Sequence, residues 1–201
     1  MRAFVAIVLP ETVQRTLVTL QQRLARQLRE RRLDGAFRWT AAANIHVTLR
    51  FLGEIDEAQR QQLASHLAAI AARHRSFEVS VGELGCFPNC RRPSVLWCGL
   101  QGSANMLGAL QGEVEAAAQA VGLPAEEKRF TPHLTIARAQ RQRSSELAAA
   151  GQVIQHAAAT ATPTGQDAPG FTVGEILLMQ SDLTRAGSVY TPLGVYPLQP
   201  R

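Results

Sequence analysis

Two tetrapeptides of this chain carry the same polar pair, His46-Val47-Thr48-Leu49 and His133-Leu134-Thr135-Ile136. In each, an imidazole and a hydroxyl alternate with aliphatic residues, the pattern of a strand with one polar and one apolar face. One copy alone fits any half-buried strand, and a lone histidine there is more often a satisfied structural residue than a catalyst. Two copies demand a different account. Brought together, two imidazoles and two hydroxyls make a site for a tetrahedral anion. One histidine, neutral, takes a proton from water or a ribose hydroxyl, and the other, protonated, gives one to a departing oxygen. Imidazole suits both tasks because its unperturbed pKa of about 6.5 leaves both forms accessible near neutrality. Thr48 and Thr135 would donate hydrogen bonds to the non-bridging oxygens of the anion. Neither motif carries an Asp or Glu placed as a metal ligand, and two histidines alone hold a metal poorly, so no metal and no cofactor are expected.

Arg138 follows His133 by five residues, an odd offset that puts it on the wrong face of a regular strand. A bulge, or an end to the strand at Ala137, would have to turn its guanidinium toward the anion. Phe51 follows the first motif by the same alternation and either packs or touches a base. Trp39 and Trp97 read as core residues rather than base-stacking platforms. His66 and His74 fall in a helix and read as surface residues, and His156 sits in a weakly patterned segment.

The elements that must position these groups are read from periodicity. "FVAIVL" at Phe4–Leu9 is a buried strand that Pro10 stops, and Glu11 opens a helix to about Arg32 with Val13, Leu17, Leu20, Leu24 and Leu28 on one face. "FRWT" and "NIHVTLRFLGEI" are strands, and Asp56 caps a helix through about His74. "FEVSVGELGCF" is a long strand whose glycines suggest a bulge, returning through the turn "PNCRRP" into "SVLWCGL". Ser103 caps a third helix that ends near Gly122-Leu123-Pro124, followed by the strand "FTPHLTIAR". Residues 141–169 are Ala-rich with little pattern and would hold one short helix before a flexible loop. "FTVGEILLMQS" and "SVYTPLGVYPL" finish the chain as two strands around Arg185-Ala186-Gly187. The motif strands occupy related places 87 positions apart, so an α+β protein of two similar lobes related by a pseudo-two-fold axis is expected, with both polar faces in one cleft.

Composition sets outer bounds. At 201 residues, 46% hydrophobic and 18% charged, the chain is an ordinary globular protein long enough to bury a core. Its net charge is +5, and Lys128 is its only lysine. An arginine excess suits phosphate, and it equally suits a base-composition bias in the genome. Cys86, Cys90 and Cys98 form no zinc-like pattern; the first two could meet across a turn, but buried thiols in a reducing cytoplasm are the expectation. The apolar start is too short for a signal peptide or a membrane span.

Taken together, the motifs with their flanks resemble a known family. "HVTL" and "HLTI" are similar to the His-x-Thr-x signature of the two-histidine phosphoesterases. "MRAFVAIVLP", "HVTLRFLGE", "CFPNCRRPSVLWCGL", "FTPHLTIAR" and "QSDLTRAGSVYTPL" resemble, in order and over nearly the whole chain, the RNA 2′,3′-cyclic phosphodiesterases first described as 2′-5′ RNA ligases. The resemblance implies a single bilobal domain over 1–201, with an antiparallel sheet and helices in each lobe. It also implies metal-independent hydrolysis of a terminal 2′,3′-cyclic phosphate on RNA to a 2′-phosphate. Under it, His46 is the proton donor to the leaving 3′-oxygen, His133 the proton acceptor that activates water, and Thr48, Thr135 and Arg138 hold the phosphate. The expected partner is an RNA end, from a tRNA fragment or another RNA, or a small cyclic nucleotide; no membrane partner is expected, and the chain should act as a monomer. The segment 141–169 is longer than the family's usual connection. Two alternatives stand beside hydrolysis: 2′-5′ ligation of a cyclic-phosphate end to a 5′-hydroxyl, and a non-catalytic RNA-end binder.

Overall fold

The computed structural model describes residues 1–161, 168–185 and 187–201. The apolar runs become a nine-stranded sheet: β1 (Arg2–Val8), β2 (Phe37–Trp39), β3 (His46–Glu54), β4 (Phe77–Phe87), β5 (Val95–Gly102), β6 (His133–Ala139), β7 (Gly170–Val173), β8 (Glu175–Thr184) and β9 (Gly187–Pro197). Their order is β7-β4-β5-β6-β3-β1-β8-β9, with β2 beside β6, and every pairing between them is antiparallel. The sheet therefore has two four-stranded halves that meet where the motif strands β3 and β6 pair.

The halves are not the two halves of the sequence. β4 follows the first motif but pairs with β5, and β8 follows the second motif but pairs with β1. Each half-sheet is completed by a strand exchanged from the other repeat. "FTVGEILLMQS" is accordingly not one strand, as periodicity suggested. Gly174 divides it into β7, which joins the β4 edge, and β8, which joins β1 on the other side.

Four helices, α1 (Glu11–Arg29), α2 (Glu57–Ala71), α3 (Ala104–Ala120) and α4 (Leu147–Ala161), accompany the sheet. α1 presents Val13, Leu17, Leu24 and Leu28 inward, and Leu63, Leu67, Leu110 and Val114 do the same for α2 and α3. They meet the alternate residues Val5, Ile7, Val47, Leu49, Leu134 and Ile136 in one continuous core. Phe4, Ala6, Leu177 and Met179 form a smaller cluster with Tyr190. Asp56 caps α2 in a reciprocal box with Gln59, satisfying two otherwise unpaired backbone donors. Ser103 precedes α3 as expected, without a side-chain cap.

Within 141–169 the expected short helix is α4, a 15-residue element; residues 162–167, where the flexible loop was expected, and Ala186 in the last turn lie outside the described residues. Cys86 and Cys90 are not thiols but a disulfide, because the turn between β4 and β5 brings their Cα atoms to 5.1 Å, inside bridging range. With these two cysteines bridged, free thiols no longer point to a reducing compartment. Cys98 is a buried thiol whose pKa burial pushes up to about 12, so it is no nucleophile at neutral pH. Among the described residues no helix is long and apolar enough to cross a membrane.

Candidate active site

The two motifs meet centre on centre. Val47 pairs with Leu134 across β3 and β6, and the antiparallel register then sets His46 opposite Thr135 and Thr48 opposite His133. The aliphatic residues of each motif face the helices and are buried, which leaves all four polar side chains on the opposite face. The repeat thus becomes a two-fold cluster by strand alternation alone.

Both strands then break their alternation at the same point. Against β5, Leu96 faces Ala137 and Trp97 faces Thr135, so Ile136 is an extra residue; against β1, Val5 faces Arg50 and Ala6 faces Thr48, so Leu49 is extra. The bulge makes Ile136 and Ala137 both buried and returns Arg138 to the cleft, as its odd offset required. The carbonyl of Ile136, displaced from the ladder, accepts from Thr40 N–H at 2.9 Å and from Nε2–H of the buried Gln21 at 2.8 Å. The matching bulge in β3 aims Phe51, 55% exposed, at the cleft in the place equivalent to that of Arg138. Arg50 beside it turns inward, its Nε 2.5 Å from Glu115 on α3 and its terminal nitrogens donating to the carbonyls of Phe51 and Pro124. With Glu126 at 3.4 Å, this ties the first motif strand to the segment that leads into the second.

Each ring is oriented from two residues upstream. His46 Nδ1–H donates to the Asn44 carbonyl at 2.9 Å, and His133 Nδ1–H donates to the Thr131 carbonyl at 2.7 Å. A carbonyl only accepts, so in both neutral rings Nε2 is the lone-pair nitrogen. For His46 that nitrogen accepts the Thr48 hydroxyl at 3.0 Å; for His133 it has no protein partner among the described residues. Aromatic rings wall both. Phe4 and Tyr190 lie 4.9 and 5.3 Å from His46, and Phe87, stacked on Trp97, lies 5.0 Å from His133.

Desolvation by these walls is the main reason His46 is brought down to about 4; the Asn44 carbonyl opposes it, and Arg138 and His133 add to it. His133 is lowered for the same leading reason, with the Thr131 carbonyl opposing and Arg138 adding. With both shifted below the ordinary imidazole value, neither ring is charged on its own at pH 7. The cleft itself encloses about 570 Å³ and, among the described residues, is lined by Arg2, Arg38 and Arg138 and by no carboxylate. Such a concave, one-signed lining focuses a positive field on whatever enters.

All five residues singled out for chemistry, His46, Thr48, His133, Thr135 and Arg138, line this one cleft. Sequence reasoning missed Phe4, Asn44, Phe87 and Tyr190. Asn44 and Thr131 stand 87 positions apart like the motifs, the signal that could have exposed the carbonyl pair. His74 is not a surface residue: its side chain is only 12% exposed because it pairs with Glu113 on α3 at 2.8 Å. His66 is exposed, and His156 lies in α4 away from the cleft. Trp39 packs against the core, as expected.

Residues 16–185 match the family model described as the 2′-5′ RNA ligase superfamily. The chain is 34% identical over 158 residues to an RNA 2′,3′-cyclic phosphodiesterase of Aquifex aeolicus, covering 77% of this chain and 78% of that one. It is also 34% identical over 150 residues to one of Aeropyrum pernix, covering 75% and 80%. A crystal structure of E. coli LigT complexed with 3′-AMP superposes with a TM-score of 0.75 at 25% identity, covering 98% of this chain and 97% of that one.

Proposed function

The chain belongs to the 2′-5′ RNA ligase superfamily, and from that premise we infer that it hydrolyses the 2′,3′-cyclic phosphate at an RNA end, as the names of its relatives describe. The observation that supports this reading most is the centred pairing of the two His-x-Thr motifs, which together with the β6 bulge lines one cleft with two imidazoles, two hydroxyls and an arginine. A cyclic phosphodiester has what these groups complement: a monoanion, a phosphorus open to in-line attack, and a ribose oxygen to expel.

In the proposed mechanism the anion settles between Thr48, Thr135 and Arg138. Its charge stabilises an imidazolium beside it and so offsets the burial that holds His46 neutral, and His46 takes up a proton. The Thr48 hydroxyl, hydrogen-bonded to His46 Nε2 in the structure, turns to the phosphate. His133 Nε2 then draws a proton from water as the water oxygen bonds to phosphorus. The bond from phosphorus to the 3′-oxygen breaks, and His46 Nε2–H delivers its proton to that oxygen, leaving a 3′-hydroxyl and a 2′-phosphate. Every step uses a side chain of this cleft, and we read the reaction as metal-independent. One chain closes the cleft, so the active unit is a monomer. Ligation is the same geometry with a 5′-hydroxyl in place of water; at aqueous concentrations water prevails unless a second RNA end is held in place.

The test is alanine at each histidine. His46→Ala and His133→Ala should each lower kcat on a cyclic-phosphate RNA by about two to four orders of magnitude while RNA binding is largely kept. Undiminished turnover in either variant would end the two-histidine assignment, and binding without turnover in the wild type would make the protein an RNA-end binder.

A further inference from the structure

Arg38 and Arg138 face each other directly across β2 and β6. Like charges at opposed positions of an antiparallel pair destabilise it, and a carboxylate beside them would offset the repulsion. Here none is supplied: among the described residues neither arginine forms an ion pair, although eight such pairs exist elsewhere in the molecule. Both arginines line the main cleft and also a second cavity of about 290 Å³ that continues from it past Thr40, Asn44, Ser188 and Tyr190. Among the described residues this second cavity, too, has no acidic lining residue.

One anion engages Arg138, which stands beside the histidines and already lowers both their pKa values. Arg38, which lines both cavities, is left with a charge to be met. Opposed Cα atoms on antiparallel strands lie about 4.5–5.5 Å apart, so two flexible arginine side chains span the distance between neighbouring anions on one ligand. We propose that Arg38 and the second cavity form a subsite for the penultimate ribonucleotide, with Arg38 bound to the phosphodiester that links it to the terminal, cyclic-phosphate nucleotide. The pair of arginines then reads two successive phosphates. The enzyme selects an RNA chain over a free cyclic mononucleotide, which has only the first. This inference rests on the proposed hydrolysis and adds its substrate class.

The experiment compares kcat/KM on adenosine 2′,3′-cyclic monophosphate and on the dinucleotide ApA ending in a 2′,3′-cyclic phosphate, for wild type, Arg38→Ala and Arg38→Lys. A charge-assisted contact to phosphate implies a wild-type preference for the dinucleotide of about tenfold or more. Arg38→Ala should erase most of that preference and Arg38→Lys should keep part of it. In wild type the salt dependence of the dinucleotide should be steeper than that of the mononucleotide by roughly 0.7 in log–log slope, one neutralised phosphate, and Arg38→Ala should remove the difference. Equal use of both substrates by wild type, or an unchanged preference in Arg38→Ala, overturns the subsite while leaving the hydrolase intact. Equal losses on both substrates would place Arg38 at the reacting phosphate and also overturn it. If wild type hydrolyses neither substrate, the hydrolase reading fails, and the subsite with it.

Discussion

His46 and His133 are chemically alike, yet the protein does not treat them alike. His46 is held between Phe4 and Tyr190 and brought down to about 4, whereas the ring of His133 bonds its carbonyl partner at a more exposed position. Since one ring must be charged and the other neutral, the pH dependence of kcat/KM, which reports the free enzyme, should be a bell whose maximum lies below the unperturbed imidazole value of about 6.5. The bound anion favours imidazolium, so pKa values in the complex rise and the kcat bell should sit at higher pH than the kcat/KM bell. The two limbs belong to the coupled pair and not to one ring each. Steady-state rates from pH 4 to 9 check this when chemistry limits turnover, and a kcat maximum on the acid side of the kcat/KM maximum would contradict it. The residue types at this scale were legible because imidazole, hydroxyl and guanidinium announce themselves in "HVTL", "HLTI" and "TIAR". The aromatic walls were not. Phe4, Phe87 and Tyr190 lie on other strands, and nothing in their own neighbourhoods distinguishes a ring that desolvates a histidine from an ordinary core residue.

The bulge in β6 is the element on which Arg138 depends, and Gln21 is its support. Nε2 of Gln21 donates to the carbonyls of both Thr40 and Ile136 at 2.8 Å from a buried position on α1. Gln21→Leu leaves the Thr40 carbonyl without that donor and takes one of two from Ile136, so it should lower the unfolding free energy by about 1–3 kcal/mol in urea titration. A change within the roughly 0.5 kcal/mol of a surface substitution would show that the bulge needs no such support. That Arg138 required a bulge was readable from its offset; the residue that sustains it was not, because Gln21 looks like one more polar residue among the glutamines and arginines of α1. The disulfide was hidden for a related reason. A Cys-x₃-Cys spacing fits a bridge or two thiols equally, and only the course of the turn between β4 and β5 decides.

At the scale of the molecule, the duplicated pattern was legible and the exchange of strands was not. Periodicity and the turn "PNCRRP" already joined β4 to β5, but they ran β7 and β8 together and assigned β8 no partner, so its place beside β1 was seen only in the structure. That exchange locks the two halves together around the β3–β6 seam, and Arg50, through Glu115 and Glu126, ties the segment before His133 to the strand of His46. The result is a cleft with His46 and His133 on its two central strands, and among the described residues its charged lining is Arg2, Arg38 and Arg138. The most direct test of this account is to incubate the purified protein, in excess EDTA, with a short RNA ending in a 2′,3′-cyclic phosphate and to resolve the products. The account predicts turnover to a 2′-phosphate with a free 3′-hydroxyl. A 3′-phosphate product, or turnover only after a divalent cation is restored, would contradict it.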